Sequence, residues 1–371
     1  MTHISLDNVS KYYDGGETVA NYRLNLEIED GEFLVLLGPS GCGKTTALRL
    51  IAGLETPSEG DIYFDDERVT NRSPSDRNVA MVFQNYALYP HMTVRENIAY
   101  PLKVRGIEPD ERDRRIAEIT ELLHIEDLLG KRPAELSGGQ RQRTALARAI
   151  VREPTVFLLD EPLSNLDAKL RQEMRSELKR IQNELGITTV YVTHNQEEAM
   201  SMGDRIAVMN DGTIRQVAGP EELYARPRTT WVAQFIGSPA MNLLEGTRQN
   251  GTVELGEAGT VSVETAGPSG EIGEAGSVAV GAEETREVSL GVRPEDLSVA
   301  SEPLDSGHAV EGTVDTIEPL GEYTIVNVEV DGQLVKAKEA SIDVDRGDRV
   351  YLTFDDRAAH LYDEEGSRLA R

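Results

Sequence analysis

Along residues 1–235, short apolar runs alternate with stretches whose apolar side chains recur every three or four positions. That alternation is how strand–helix units around a largely parallel sheet read. Runs at 34–37, 156–159, 189–192 and 205–209 are too short for helices and predict buried strands. Leu170, Met174, Leu178, Ile181 and Leu185 follow one another at spacings of 4, 4, 3 and 4, which predicts a helix, with Gly186 placed to end it. Ile116, Ile119, Leu122 and Leu123 predict a second helix, whose opposite face is charged between Glu111 and Glu121. Residues 86–154 are helical in pattern and interrupt the strand-rich parts, so they read as a subdomain inserted into an α/β core of 1–235. After Ile236 the texture changes. Gly, Glu, Val and Thr dominate, and short alternating stretches such as 323–330 end in turn pairs such as Asp331-Gly332. Residues 236–371 predict a small all-β, OB-like domain, with exposed loops expected in the Gly- and Glu-rich stretch 256–282.

Length agrees with two domains: the chain has 371 residues, and single cores stop growing at roughly 250–300. At 39% hydrophobic and 28% charged residues it reads as a soluble globular protein. Its longest apolar runs, such as 33–37, fall far short of the ~20 residues that span a bilayer. No basic start with an apolar stretch marks an export signal, and the chain is expected to be cytoplasmic. Cys42 is the only cysteine, which excludes an internal disulfide and a Cys-based zinc cage.

Charge changes the picture more. The formal net charge is −27, and residues 236–371 alone hold 28 acidic against 10 basic side chains. Such a surface repels phosphate backbones, so no nucleic-acid partner is expected. It also fits a halophilic protein, because in about 1 M salt the Debye length shrinks to about 3 Å and self-repulsion is screened.

Three local patterns carry chemistry. Gly38-Pro39-Ser40-Gly41-Cys42-Gly43-Lys44-Thr45 matches the phosphate-loop pattern, after a predicted strand and before the helical run 46–52. The core is thus expected to have the P-loop NTPase fold. Glycines let successive N–H groups converge on phosphate oxygens, Lys44 brings a charge to the β- and γ-phosphates, and the Thr45 hydroxyl can ligate Mg²⁺. Cys42 reads as a small residue among small residues. Next, the apolar run 156–159 ends in Asp160-Glu161, acids at the edge where α/β sheets bind ligands. Asp160 is expected to hold Mg²⁺ and Glu161 to deprotonate an attacking water. Lastly, Leu136-Ser137-Gly138-Gly139-Gln140 places Ser137 as the N-cap of a helix running to Ile150, with the Ser137 hydroxyl and Gly139 N–H available to an anion.

Taken in order, the phosphate loop, Leu136 to Gln140, Asp160-Glu161, Ser164-Asn165-Leu166-Asp167 and His194 resemble an ATP-binding-cassette ATPase, with Gln84 at the family's switch glutamine. Tyr86 to Val94 and Gly291-Val292-Arg293-Pro294-Glu295-Asp296 look like the subclass of binding-protein-dependent sugar importers. The resemblance implies ATP and Mg²⁺ as ligands. It places nucleotide against Tyr13, the 38–45 loop and Thr46, and against Ser137, Gly139 and Gln140 of a second copy of the chain or a paralogous ATPase. Tyr13 stands where the maltose type has tryptophan, and Tyr12 is its rival as adenine platform. The resemblance also implies that Gln84 senses Mg²⁺ and γ-phosphate, that His194 binds γ-phosphate, and that Asp167 lies near the dimer seam. The implied partners are two membrane permease subunits on the cytoplasmic face of the membrane and, indirectly, an extracytoplasmic sugar-binding protein. Segment 84–98 is expected to expose several aromatics to a short permease helix. Glycerol phosphate, polyamine, sulfate or iron are the alternative solutes. A non-transport cassette ATPase is disfavoured by the single phosphate loop, the lack of sustained heptads and the acidic charge.

Overall fold

All four apolar runs become strands of one sheet in the computed structural model, which describes residues 2–249, 252–256, 259–262, 285–302 and 309–369. Most of the stretch 256–282 lies outside the described residues. The chain divides into two units between Leu223 and Tyr224.

The first unit begins with β1 (Ile4–Tyr13), β2 (Thr18–Ile28), β3 (Phe33–Leu37) and α1 (Lys44–Ala52). It continues through β4 (Glu59–Phe64), β5 (Glu67–Arg68) and β6 (Val79–Val82), then helices α2 (Val94–Val104), α3 (Pro109–Leu122) and α4 (Gly138–Ile150). The chain returns through β7 (Val156–Asp160), α5 (Ala168–Leu185), β8 (Thr188–Thr193), α6 (Gln196–Met202), β9 (Arg205–Asn210) and β10 (Thr213–Ala218), and α7 (Pro220–Ala225) straddles the division. One six-stranded sheet has the order β10-β9-β3-β8-β7-β6, parallel except for β10. A four-stranded antiparallel sheet, β2-β1-β4-β5, lies apart from it in pairing.

Every residue of β3, β7 and β8 is buried, as expected of strands covered on both faces. Helix α1 shares one apolar cluster with both sheets: Leu48, Leu50 and Ile51 pack with Leu34, Leu36, Leu158 and Val190 and with Ile4, Leu24 and Ile62. Each of those three α1 side chains is fully buried, worth about 1.5–3 kcal/mol apiece. The α5 stripe is buried at Met174, Leu178 and Ile181 but open at its C-terminal end, where Leu185 is exposed, and Gly186 closes the helix at φ 62°. In α3 the charged face pairs internally, Glu111 with Arg114 and Arg115, and Arg114 with Glu118.

The second unit opens with α8 (Thr230–Phe235) and then holds strands β11 (Asn242–Gln249), β12 (Thr252–Glu254), β13 (Thr260–Ser262), β14 (Arg286–Val292) and β15 (Ser298–Ala300). It finishes with β16 (Ala309–Pro319), β17 (Thr324–Val330), β18 (Gln333–Glu339), β19 (Arg349–Thr353) and β20 (His360–Tyr362). These form two antiparallel five-stranded sheets, β13-β12-β11-β14-β20 and β15-β19-β16-β17-β18, around one core of mostly valine and leucine. The turn pair Asp331-Gly332 has φ of 46° and 77° and joins β17 to β18 as a two-residue hairpin.

Candidate functional site

Registers within the parallel sheet decide which loops meet. Leu37 pairs with Thr193, and Asp160 with Val192. The carboxyl ends of β3, β8 and β7 are therefore level, and the segments leaving them (the 38–45 loop, His194 and Asp160-Glu161) emerge side by side.

The loop curls because glycine is required at two crowded positions. A Cβ on Gly38 would collide with the Met209 carbonyl oxygen. A Cβ on Gly43, which sits at φ 97°, would meet the Ala20 carbonyl, and the Asn21 side-chain amide donates to the Gly43 carbonyl at 3.2 Å. Gly43 is the N-cap of α1 and no side chain caps the helix, which leaves first-turn N–H groups available to an anion. Lys44 is 5% exposed, and its ammonium donates to the carbonyls of Gly38 at 2.9 Å and Pro39 at 2.8 Å. Ser40 and Gly41 are exposed, and Thr46 is half-buried in the first turn of α1. Cys42 is buried, which pushes its thiol up despite nearby Lys44; a reactive thiolate has no support here.

Thr45 Oγ1 donates to Asp160 Oδ1 at 2.9 Å. Burial pushes the Asp160 carboxyl above its ordinary value and Glu161 adds to this, while the Thr45 hydrogen bond, Arg49 and Lys44 act in the opposite direction. Glu161 follows at φ 45°, a left-handed conformation, with its N–H bonded to the Val192 carbonyl. Its Oε1 lies 3.3 Å from His194 Nδ1, and the imidazole is 56% exposed, open to a ligand. These two residues share a small cleft of about 60 Å³ with Ser164, Arg171 and Glu198.

Glu198 was not anticipated from the sequence. It is 4% exposed and accepts hydrogen bonds from the Tyr191 hydroxyl at 2.8 Å and from Thr193 Oγ1 at 2.7 Å. Its own N–H is capped by Asn195 Oδ1, and the Asn195 N–H bonds back to Thr193. This knot fixes the turn that presents His194. The spacing Asn195-x-x-Glu198, a helix-start signature, was the available signal.

The remaining expected residues lie further out. Gln84 is exposed two residues past β6, its carbonyl accepting from the Asn165 amide at 2.8 Å. Asp167 is the N-cap of α5. Ser137 is the N-cap of α4 in a reciprocal capping box with Gln140, and it is exposed. A Cβ on Gly139 would come within 3.0 Å of the Leu170 side chain, so the turn packs closely against α5. Among the described residues no hydrogen bond joins the 137–140 turn to the 38–46 segment. In the Tyr pair, Tyr12 bonds to Glu59 through its hydroxyl and Lys11 covers one face of the Tyr13 ring at 5.1 Å. Tyr86 corrects the picture of an exposed aromatic stretch: it is buried, and exposure falls on Tyr89 and on Tyr100 beyond the segment.

A family profile described as "ABC transporter" matches residues 22–164. A trehalose/maltose import ATP-binding protein of Thermococcus litoralis is 49% identical over 98% of both chains. The chain belongs to the ATP-binding-cassette transporter ATPases. As a member of that family it is an ATPase coupled to transport. The profiles "MalK OB fold domain" and "TOBE domain" match residues 237–297 and 290–361 of the second unit. An sn-glycerol-3-phosphate import ATP-binding protein of Chromohalobacter salexigens is 45% identical over 100% of this chain and 96% of the relative. Among solved structures, a dimeric, post-hydrolysis ATP-binding cassette bound to ADP and Pi is 36% identical, with a TM-score of 0.52 over 58% of this chain and 98% of its own.

Proposed function

We propose that this chain energises the uptake of a carbohydrate, hydrolysing ATP on the cytoplasmic face of the membrane and passing the work to two permease subunits fed by a sugar-binding protein. The convergence of three groups on one sheet edge carries the reading: the Lys44 loop, the Thr45–Asp160 pair and the Glu161–His194 pair. Phosphates would accept from the loop N–H groups and Lys44, with adenine on Tyr13 or Tyr12 and Thr46 beside the phosphates. Thr45 and Asp160 fit Mg²⁺: both donors are oxygens, already together at 2.9 Å, and Mg²⁺ takes few protein ligands, keeping water and phosphate for the rest. The ion, when bound, neutralises charge on the β- and γ-phosphates. Gln84 would face the same ion.

Glu161 accepts a proton from water as the water oxygen bonds to the γ-phosphorus. The bond from that phosphorus to the bridging oxygen breaks, and ADP leaves with the electron pair. His194 orients Glu161 through their 3.3 Å contact and donates to the phosphate. Ser137, Gly139 and Gln140 would close over the nucleotide of a second copy or a paralogous ATPase, with Asp167 at the seam; the exposure of Ser137, which among the described residues makes no hydrogen bond to the chain's own loop, favours this. Hydrolysis then removes contacts that hold the pair shut, so the work appears as differential affinity between two dimer arrangements.

A groove of about 600 Å³ beside Tyr89, Tyr100, Pro101, Val104 and Leu54 supplies an apolar seat for a permease helix; Val104 is 70% and Leu54 49% exposed. Residues 236–371 would serve association of two copies and regulation. A sugar is favoured over glycerol phosphate, the solute named for the Chromohalobacter relative, because the maltose-type relative is more similar. The acidic surface is read as halophilic adaptation. Replacing Glu161 with Gln tests the mechanism: phosphate release is expected to fall by about 10²–10⁴ while ATP still binds and holds a dimer on size exclusion. Turnover near the parent value would place the base elsewhere.

A further inference from the structure

Between β6 and α2 the backbone makes a turn to which the roles above assign no purpose. Tyr86 and Ala87 are consecutive non-glycine residues with φ of 62° and 47°, a region that L-residues avoid. The Ala87 N–H donates to the Asn85 carbonyl at 2.7 Å, which puts Tyr86 at the centre of a γ-type turn, a strained class. Backbone of this kind persists only where its surroundings over-determine it.

Arg148 supplies that restraint. From the last turn of α4, its Nη1 donates to the Ala87 carbonyl at 2.7 Å and its Nη2 to the Tyr86 carbonyl at 2.9 Å. The guanidinium also lies 5.4 Å from the Tyr89 ring centre. A planar fork can serve two carbonyls at once, which a lysine ammonium on a flexible stem does less well. Two more side chains pin the same strip at its ends. The Asn165 amide holds the Gln84 carbonyl at 2.8 Å, and the fully buried Asn97 accepts from the Tyr89 N–H at 2.8 Å and donates to the Tyr89 carbonyl at 3.2 Å. The middle pin carries the strained part, and it comes from the helix whose first turn is Ser137–Gln140.

We propose that Arg148 is a positioning residue for hydrolysis: by holding both carbonyls of a left-handed turn, it fixes Gln84 relative to the Thr45–Asp160 pair and ties the switch segment to the helix that begins at Ser137. The proposal rests on Gln84 facing the metal and γ-phosphate. Without the fork, residues 86–87 relax toward ordinary backbone, Gln84 moves, and α4 and the switch segment lose their common register. The nucleotide loop itself is untouched.

Steady-state ATP hydrolysis by the full chain separates positioning from mere support. Arg148→Lys is expected to lower kcat about tenfold or more while KM for ATP stays within about twofold, with the thermal midpoint nearly unchanged. Adding Ala87→Gly, which adopts this φ without strain, is expected to restore kcat several-fold. A kcat within about twofold of the parent in Arg148→Lys overturns the proposal. So does a loss that tracks a lowered thermal midpoint and is not relieved by Ala87→Gly. Gln84→Ala is measured alongside: impaired turnover there with normal turnover in Arg148→Lys rejects the Arg148 role alone, whereas normal turnover in Gln84→Ala removes the switch reading and the proposal with it.

Discussion

Arg77 carries its charge into the core, and all three of its nitrogens donate to backbone carbonyls. It is 3% exposed. Nη1 donates to the carbonyls of Leu50 at 2.7 Å and Ile51 at 2.8 Å, Nη2 to Thr70 at 3.0 Å and Nε to Arg72 at 3.2 Å. Burial pushes its pKa down to about 10, so it remains a cation at neutral pH. Two of those carbonyls belong to the last turn of α1, where the helix leaves acceptors unpaired and its dipole favours positive charge. Gly53 ends the helix at φ 74° beneath the guanidinium, and a Cβ there would clash with Arg77. The phosphate-loop helix is thus anchored at its far end by a residue just ahead of β6. Arg77→Met keeps much of the volume but takes the donor from the buried Ile51 and Thr70 carbonyls, while Leu50 keeps the Gly53 N–H, at about 1–3 kcal/mol for each group left unsatisfied. The expected loss is about 2–4 kcal/mol in urea unfolding, read from the denaturation midpoint; a midpoint within error of the parent would assign the anchoring to other contacts.

Elements differ in how plainly the sequence announces them. Strands β3, β7 and β8 are legible because burial on both faces leaves unbroken apolar runs, and α5 because its stripe keeps helical spacing. Sheet β2-β1-β4-β5 is not, for a physical reason: β1 shifts register against β2 at three places between Leu6 and Tyr12, with Asn8 left-handed, so the two-residue alternation is interrupted. The loop, Asp160, Glu161 and His194 could be found from strand ends and motif order. Arg77 and Arg148 could not, because their partners are backbone carbonyls that the fold brings near, and Glu198 carried only the helix-start spacing Asn195-x-x-Glu198. The 84–98 segment shows the same limit, since its aromatic content is visible but the inward turn of Tyr86 is set by left-handed backbone. What remains outside is Tyr89, 37% exposed and packed 5.0 Å from Tyr100 at the groove. Tyr89→Asp puts a carboxylate where an apolar helix would dock and removes the ring face from Arg148. In cells carrying the whole transporter, sugar uptake is expected to drop at least about tenfold, the scale of a lost interface hot spot, while ATP binding to the purified chain persists. Uptake at the parent level would move the permease contact off this groove.

Over the whole molecule the balance of charge sets the conditions under which these parts assemble. With a formal net charge of −27, every surface carboxylate feels more repulsion than attraction at long range. Local pairing offsets little of it. The ion pairs of Glu111, Arg114, Arg115 and Glu118 lie on one exposed helix face, where water and salt screen them and leave them little net stabilisation. Salt acts on both terms with opposite signs: it weakens these short pairs and screens the long-range repulsion. At about 0.15 M salt the Debye length is about 8 Å, enough for neighbouring carboxylates to interact, and at about 1 M it is about 3 Å, shorter than most of their separations. Repulsion summed over an excess of 27 charges is expected to outweigh the screened surface pairs, so that salt stabilises. Residues 236–371 carry 28 acidic against 10 basic side chains, so the second unit is expected to respond more steeply than the first. Raising KCl from about 0.1 to 2 M is expected to lift the thermal midpoint by roughly 5–10 °C, equivalent to about 2–3 kcal/mol. Circular dichroism melts in KCl, with equimolar sucrose as the uncharged control, measure this. A midpoint that stays flat in KCl, or that rises equally in sucrose, would mean that charge repulsion does not govern the stability of this fold.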